Sequence, residues 1–378
     1  MPSCSAPICR APTSTRRSSE WRPMRLDDLM ERISLGLPVE GGNFAGIDFT
    51  GAAIAGATLI ACDFTGARFG HASLAKCQFI QCDLTQADFA GATLDTCQLA
   101  GSVMPGVRFS GASLKRAQFG QCDLRQAEFR DASLDAVAFA QTDLSEACFA
   151  GAMLATTVII ESAIARIDLS RATLRGITMT KGDLREALLD GLDIDTMLVM
   201  DADLSGRDLR SLRLARVNLM KSRLAGCNLS GVDLSQSLLI DADLRQADLS
   251  GCNLTMALMI GADLTGANLE GADLTSANLS SAKLPGANLN RAILTNAIVE
   301  QADCAAARFE RARLDFAQFS YATLDAASFM NARFHRTSLH GATTNATLFS
   351  HASGSTLPTD PARAVADLYE PRRVARRA

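Results

Sequence analysis

Ala262-Asp263-Leu264-Thr265-Gly266 and the unit that follows it, Ala267-Asn268-Leu269-Glu270-Gly271, contain the rule that governs this chain. A bulky apolar residue stands third in each unit, with a small residue two places before it and Asp, Asn, Ser, Thr, Gln or Arg usually between. Outward from these units the register holds from Phe44 to Phe349 without an insertion or deletion. Toward the N-terminus it passes through Phe89, Leu84, Phe79, Leu74, Phe69, Phe64, Leu59, Ile54 and Phe49. Toward the C-terminus it passes through Phe309, Leu314, Phe319, Leu324, Phe329, Phe334 and Leu339, and only Cys304 and Thr344 replace the bulky hydrophobe.

A period of five suits neither a helix, which repeats every 3.6 residues, nor a strand, which alternates every two. A chain that turns a corner at every fifth residue resolves the mismatch. The bulky residue (position i) and the small one (i−2) then point inward, and i−1, i+1 and i+2 face water. Each coil of such a solenoid rests only on its neighbours.

Over residues 42–351 this pattern resembles the pentapeptide-repeat family, whose consensus is A(D/N)LXX. The resemblance implies an all-β fold, a right-handed quadrilateral β-helix with four units to a coil. That gives about 15 coils and a rod on the order of 75 Å long at the strand spacing of ~4.8 Å. Sorted by twenty, one wall carries Phe49, Phe69, Phe89, Phe109, Phe129 and Phe149, then Leu169 through Leu289, then Phe309, Phe329 and Phe349. The opposite wall carries Leu59, Phe79, Leu99, Phe119, Phe139 and Ile159, so rings from opposite walls are expected to stack along the axis.

The remaining segments break the rhythm. Residues 1–23 hold Pro, Ser, Thr and Arg without an apolar core and read as a disordered leader rather than a secretory signal, with Met24 an alternative start. Within 24–38, Leu26, Leu29, Met30 and Ile33 fall at helical spacing opposite Asp27, Asp28, Glu31 and Arg32, and Gly36 and Pro38 end the run. A short helix capping the bare first coil is expected, ahead of a β-helix over 39–351. After His351, Ser353-Gly354-Ser355 and Pro358 suggest a linker, and 352–378 a flexible basic tail with Arg372, Arg373, Arg376 and Arg377. Both ends are basic while the net charge is −4, so the repeat body is mildly acidic.

Of the 11 cysteines, Cys62, Cys77, Cys82, Cys97, Cys122, Cys227 and Cys252 occupy i−2 and Cys304 occupies i. They read as small buried hydrophobes, reduced as in a cytoplasm. The pairs Cys62/Cys82 and Cys77/Cys97 lie one coil apart, near the lower limit for a bridge. Cys4 and Cys9 fall in the leader.

Two outward features stand out. Asp recurs at i−1 of one wall, as Asp63, Asp83, Asp123, Asp143, Asp183, Asp203, Asp243, Asp263 and Asp303. This ribbon either imitates a nucleic-acid backbone or solvates the wall and bonds local amides. On another wall the outside turns apolar, with Val158, Ile160, Leu198, Met200, Met220, Leu238, Ile240, Leu258, Ile260 and Ile298 in file. Such a strip suits an interface with a protein partner or a second copy, a dimer being favoured. Nearby, Ile167, Ile177, Leu192, Met197, Arg207, Leu212 and Val217 replace the small i−2 residue, so the bore must widen or distort there.

No nucleotide-binding, zinc-protease, paired CxxC or hydrolase-elbow motif occurs, and His71, His335, His340 and His351 are placed outward. With a filled core and no cleft, no catalytic residue, cofactor or metal site is expected. No apolar run approaches the ~18 residues that span a bilayer, and a cytoplasmic location is expected. The sequence favours a non-enzymatic scaffold that binds a protein or itself through the apolar strip, with no direct nucleic-acid binding. The stretch Leu29–Gly51 is similar to pentapeptide-repeat proteins linked with bacterial type VI secretion. The alternative is a DNA mimic occupying a type II topoisomerase, as the quinolone-resistance members of the family are; the mild acidity and unbroken coils fit that reading less well.

Overall fold

The computed structural model describes residues 22–23, 26–357 and 359–363. Most of the expected leader (with Met24, Cys4 and Cys9) and the Arg-rich segment from residue 364 lie outside the described residues. The chain forms a parallel β-solenoid of about 16 turns, divided into two compact units, Met1–Met197 and Leu198–Ala378.

The register step is twenty residues. In the first unit Val39 pairs with Leu59, Leu59 with Phe79, Phe79 with Leu99, Leu99 with Phe119, Phe119 with Phe139 and Phe139 with Ile159, all parallel. Four five-residue units therefore close one coil. The pairing is made by single strands of two or three residues, such as Thr58–Ile60 and Gln78–Ile80, or by isolated bridges such as Asp63↔Asp83. Hydrogen bonds run between coils on both sides of each wall: Phe69 N–H donates to Asp88 O (2.6 Å) and Arg68 N–H to Ile47 O (2.9 Å).

The corner has a definite geometry. The amide at i+3 donates to the carbonyl of the bulky residue, as Ala72 does to Phe69 (3.0 Å). The residue before it, at i+2, takes positive φ whether it is Gly (Gly66, +64°) or not (Gln86, +55°; Arg116, +58°). That is the φ signature of a type II turn. From Gly46 to His351 every i+2 position adopts it except Glu186, Thr196 and Ser211. Those three fall among the oversized i−2 residues. Ile167, Ile177 and Val217 are accommodated fully buried, whereas Leu192, Met197 and Arg207 are only half-buried. The short strands also lengthen there to Thr173–Thr180 and Asp193–Met200. Thr196 and Ser211 each lie between two oversized residues, whereas the corners before Ile167, Ile177, Leu192, Arg207 and Val217 keep their positive φ, so most of the large side chains are taken in without giving up the turn.

Inside, Phe129 stacks on Phe149 (ring centroids 4.5 Å, interplanar 8°) and Phe109 (5.1 Å, 17°), and meets Phe139 edge-on (5.8 Å, 84°). Rings thus stack within a wall, coil over coil, and rings of opposite walls meet edge to face, not stacked as the sequence suggested. A ring on one wall can lie parallel only to the ring 20 residues away; across the bore the quadrupoles favour the edge.

The helix α1 (Leu26–Ser34) covers the first coil, with Leu29 fully buried beside Val39. It ends in the expected place: Gly36 N–H bonds Ile33 O (2.9 Å) and Leu37 N–H bonds Arg32 O (2.9 Å). Gly36 takes φ +66° there, the left-handed residue that closes a helix. Two expectations at the ends are corrected. Arg22–Pro23, read as leader, pair parallel with Gly42–Asn43. Ser353–Leu357, read as linker and flexible tail, form a strand on Arg333–Ser338, because the last coil still offers an unpaired edge. Gly354 is needed at the register shift: its φ is +98°, and a Cβ there would sit 1.7 Å from Phe334 O.

Candidate interaction surfaces

The apolar strip is a direct product of the coil. In the second unit Leu198, Asn218, Leu238, Leu258, Asn278 and Ile298 are joined in that order by parallel bridges, so one wall carries them all. Met200, Met220, Ile240 and Ile260 stand on the same wall two residues on, and all eight apolar members of this unit are half-buried by the coils above and below. In the first unit Val158 and Ile160 flank the inward Ile159, and Ile160 remains 41% exposed.

The two asparagines in this file show what the apolar residues forgo. Asn218 Oδ1 accepts from Met220 N–H (3.0 Å) and Asn278 Oδ1 from Ser280 N–H (3.0 Å). This side-chain-to-backbone bond, from i−1 to i+1, fixes the corner. Leu198, Leu238, Leu258 and Ile298 cannot make it. These corners give up a local bond and present an apolar side chain to the outside instead.

The acidic ribbon follows the same rule. Each of its nine carboxylates accepts from the amide two residues on. In the first unit these are Asp63–Thr65 (2.9 Å), Asp83–Thr85 (3.0 Å), Asp123–Arg125 (3.2 Å), Asp143–Ser145 (3.0 Å) and Asp183–Arg185 (3.1 Å). In the second they are Asp203–Ser205 (3.0 Å), Asp243–Arg245 (3.2 Å), Asp263–Thr265 (3.0 Å) and Asp303–Ala305 (3.1 Å). Guanidinium groups further neutralise Asp123, Asp183 and Asp243, each 2.7 Å from the Arg two residues on, and Asp203, 3.2 Å from Arg223. The Arg245 hydrogen bond holds the Asp243 carboxyl below the usual range. On a different wall Arg210 holds Asp208 at about 2.

The nine described cysteines are free and buried. The i−2 thiols donate to a backbone carbonyl 23 residues earlier, as Cys77 does to Ile54 O and Cys252 to Leu229 O (2.9 Å each). Ser102 and Thr157 do the same with hydroxyls. Burial pushes the Cys122 thiol up to about 11 and Cys252 up to about 12, the opposite of what a nucleophile needs. His71, His335 and His351 are exposed. His340 is not: it is 3% exposed, its Nε2 lies 3.0 Å from Tyr321 Oη, and its Nδ1 accepts from Asp360 N–H (3.2 Å). The returning segment after residue 352 covers a side chain that a bare coil would have left outside. Among the described residues no group of three or more His, Cys, Asp or Glu is placed to hold a metal. Among the same residues no helix is long and apolar enough to cross a membrane.

Parallel coils of four five-residue units, an αL corner in nearly all of them and a filled bore define a β-helix of the pentapeptide type. The family models agree: "Pentapeptide repeat region" matches residues 72–149, and "Pentapeptide repeats (8 copies)" matches 200–236, 237–275, 272–303 and 307–343. The chain belongs to the pentapeptide-repeat family, whose β-solenoids are generally non-catalytic. Among solved structures it is similar to a pentapeptide repeat protein of the Arabidopsis thaliana thylakoid lumen, at 34% identity over 26% of this chain and 68% of that one (TM-score 0.25). It is also similar to HetL of the cyanobacterium Nostoc, involved in heterocyst differentiation regulation, at 27% identity over 75% and 96% (TM-score 0.21). QnrB1, a plasmid-mediated fluoroquinolone resistance protein, matches at 16% identity over 58% and 90% (TM-score 0.27). No curated protein sequence matches the chain.

Proposed function

We propose that this protein is a non-enzymatic scaffold that binds a protein partner, or a second copy of itself, through the apolar wall of its second unit. One observation carries the reading. At Leu198, Leu238, Leu258 and Ile298 the chain replaces the Asp or Asn that fixes a corner with a side chain that neither fills the bore nor bonds the turn. The coils above and below cover each of them only in part, and contiguous apolar surface on an outward wall is normally an interface. The acidic ribbon has a sufficient local role in the corners, and its arginine partners blunt the field a DNA mimic would need.

Replacing Leu238, Ile240, Leu258 and Ile260 together by Ser tests the reading. None of the four points inward, so far-UV circular dichroism and melting should stay as in the parent. Self-association by light scattering, or capture of the partner, should be lost. Unchanged mass and unchanged capture would reject the interface.

A further inference from the structure

One wall near the C-terminal end departs from the charge pattern of the rest. Several exposed arginines elsewhere meet an acid one coil away: Arg68 meets Asp48 (2.8 Å), Arg223 meets Asp203 (3.2 Å) and Arg291 meets Glu270 (3.2 Å). On the wall built by Arg313–Asp315 and Arg333–Ser338 stand four arginines, two of which share one carboxylate. Arg313 and Arg333 are direct register partners on neighbouring parallel strands, an arrangement that like charges oppose. Between them Asp315, 7% exposed, lies 3.5 Å from each guanidinium, and its Oδ1 accepts no hydrogen bond. Arg311 and Arg336, at the two corners of this wall, are exposed, and neither forms an ion pair among the described residues.

An aromatic accompanies the charge. Of the chain's 17 Phe, Phe316 is the one outside the i register. It sits at an i+2 corner with φ +61° and is 44% exposed, its ring lying perpendicular to that of His335 (centroids 4.9 Å, 87°). A bulky ring in the left-handed region, left in water, costs local stability twice. The bore does not use it.

We propose that this wall binds single-stranded nucleic acid. The guanidinium groups of Arg311, Arg313, Arg333 and Arg336 hold backbone phosphates, and the bare ring of Phe316 takes one base. Arg suits this task because its planar fork pairs bidentately with phosphate oxygens. A flat ring beside a basic track is the platform on which unpaired bases stack. An acidic peptide would satisfy the arginines and leave the ring unused, and a duplex keeps its bases out of reach. The acidity of the repeat body pointed away from nucleic acid, yet the carboxylate that Arg313 and Arg333 share is buried.

The test is fluorescence anisotropy of a labelled oligothymidylate of about ten nucleotides with the full chain, across a salt series. The account expects binding whose log K falls against log salt with a slope near −3, for four phosphates at about −0.7 each. Arg311→Ala with Arg336→Ala, which touches no buried carboxylate, should flatten the slope by about 1.4. Phe316→Ala should weaken binding roughly tenfold with the slope unchanged. Arg68→Ala should do neither. The proposal is overturned by an absence of salt-sensitive binding at low salt, or by wall variants that bind as the parent does. Equal affinity for polyglutamate, for anionic vesicles or for duplex DNA would overturn it as well. So would binding that disappears on removal of residues 364–378 while the wall substitutions have no effect.

Discussion

Phe129→Ala is the substitution that tests how the bore is held together. Phe129 is fully buried, with a ring face on Phe149 at 4.5 Å, the other on Phe109 at 5.1 Å, and edges at Phe139 (5.8 Å) and Phe119 (6.3 Å). Removing a buried Phe from a core that cannot collapse costs about 3–5 kcal/mol. The coil resists collapse, because each wall is pinned by backbone bonds to the coils on either side. Loss of two stacked and two edge contacts, each worth about 0.5–1.5 kcal/mol in isolation, places the expected value at the upper end, about 4–5 kcal/mol. Urea unfolding followed by circular dichroism gives the loss. Amide hydrogen exchange should place it in the coils holding Phe109 to Phe149, since a solenoid transmits damage mainly to nearest neighbours. Phe316→Ala is the control, a half-exposed ring whose removal should change stability by no more than about 0.5 kcal/mol. A loss below about 1 kcal/mol at Phe129 would refute the packed-bore reasoning.

Two further outcomes follow from the inner lining and the surface charges. Ser237 Oγ is buried without a hydrogen-bond partner, whereas Ser222 Oγ donates to Val199 O (3.3 Å). Ser237→Ala should therefore stabilise the second unit by up to about 1 kcal/mol and Ser222→Ala destabilise it by about as much, both read by urea unfolding. The carboxyl of Asp208 is held at about 2, against an ordinary value of 3.8, chiefly by its hydrogen bonds with Arg210. A folded value below the unfolded one means a stabilisation fully present above pH 3.8 and lost as pH falls toward 2. Asp243 shifts the same way through Arg245. Melting temperature should fall across that window, and Arg210→Gln with Arg245→Gln should make the fall shallower; a steeper fall in the double variant would contradict the assignment.

Much of the fold was legible because each requirement of the coil repeats along the chain. The inward positions, the short helix with Leu29, the buried cysteines and the crowding at Leu192, Met197 and Arg207 all follow from spacing and side-chain size. The positive φ at i+2 was there to be found in the recurrence of Gly at Gly46, Gly51, Gly56 and Gly66; the many Gln, Arg and Lys at the same place hid it. The purpose of the aspartates was harder to see. A file of like charges admits both a field and a local bond to the backbone when read by wall, and the sequence does not say which amide each carboxylate meets. The ends escaped for another reason. Ser353–Leu357 has no repeat signal of its own and becomes a strand because the coil before it offers an edge, which also buries His340. The wall of Arg313 and Arg333 was missed because its residues lie 20 apart in sequence and each alone is an ordinary surface arginine.

The central claim is that a corner every five residues, four to a coil, organises everything else, and deleting residues 262–281 measures it most directly. That removes one whole coil and leaves every remaining side chain on its own wall. The account predicts circular dichroism and cooperative melting close to the parent, whereas deleting only residues 262–264 turns each later leucine and phenylalanine out of the bore and should abolish the transition. A collapsed twenty-residue deletion beside a three-residue deletion that melts normally would contradict it.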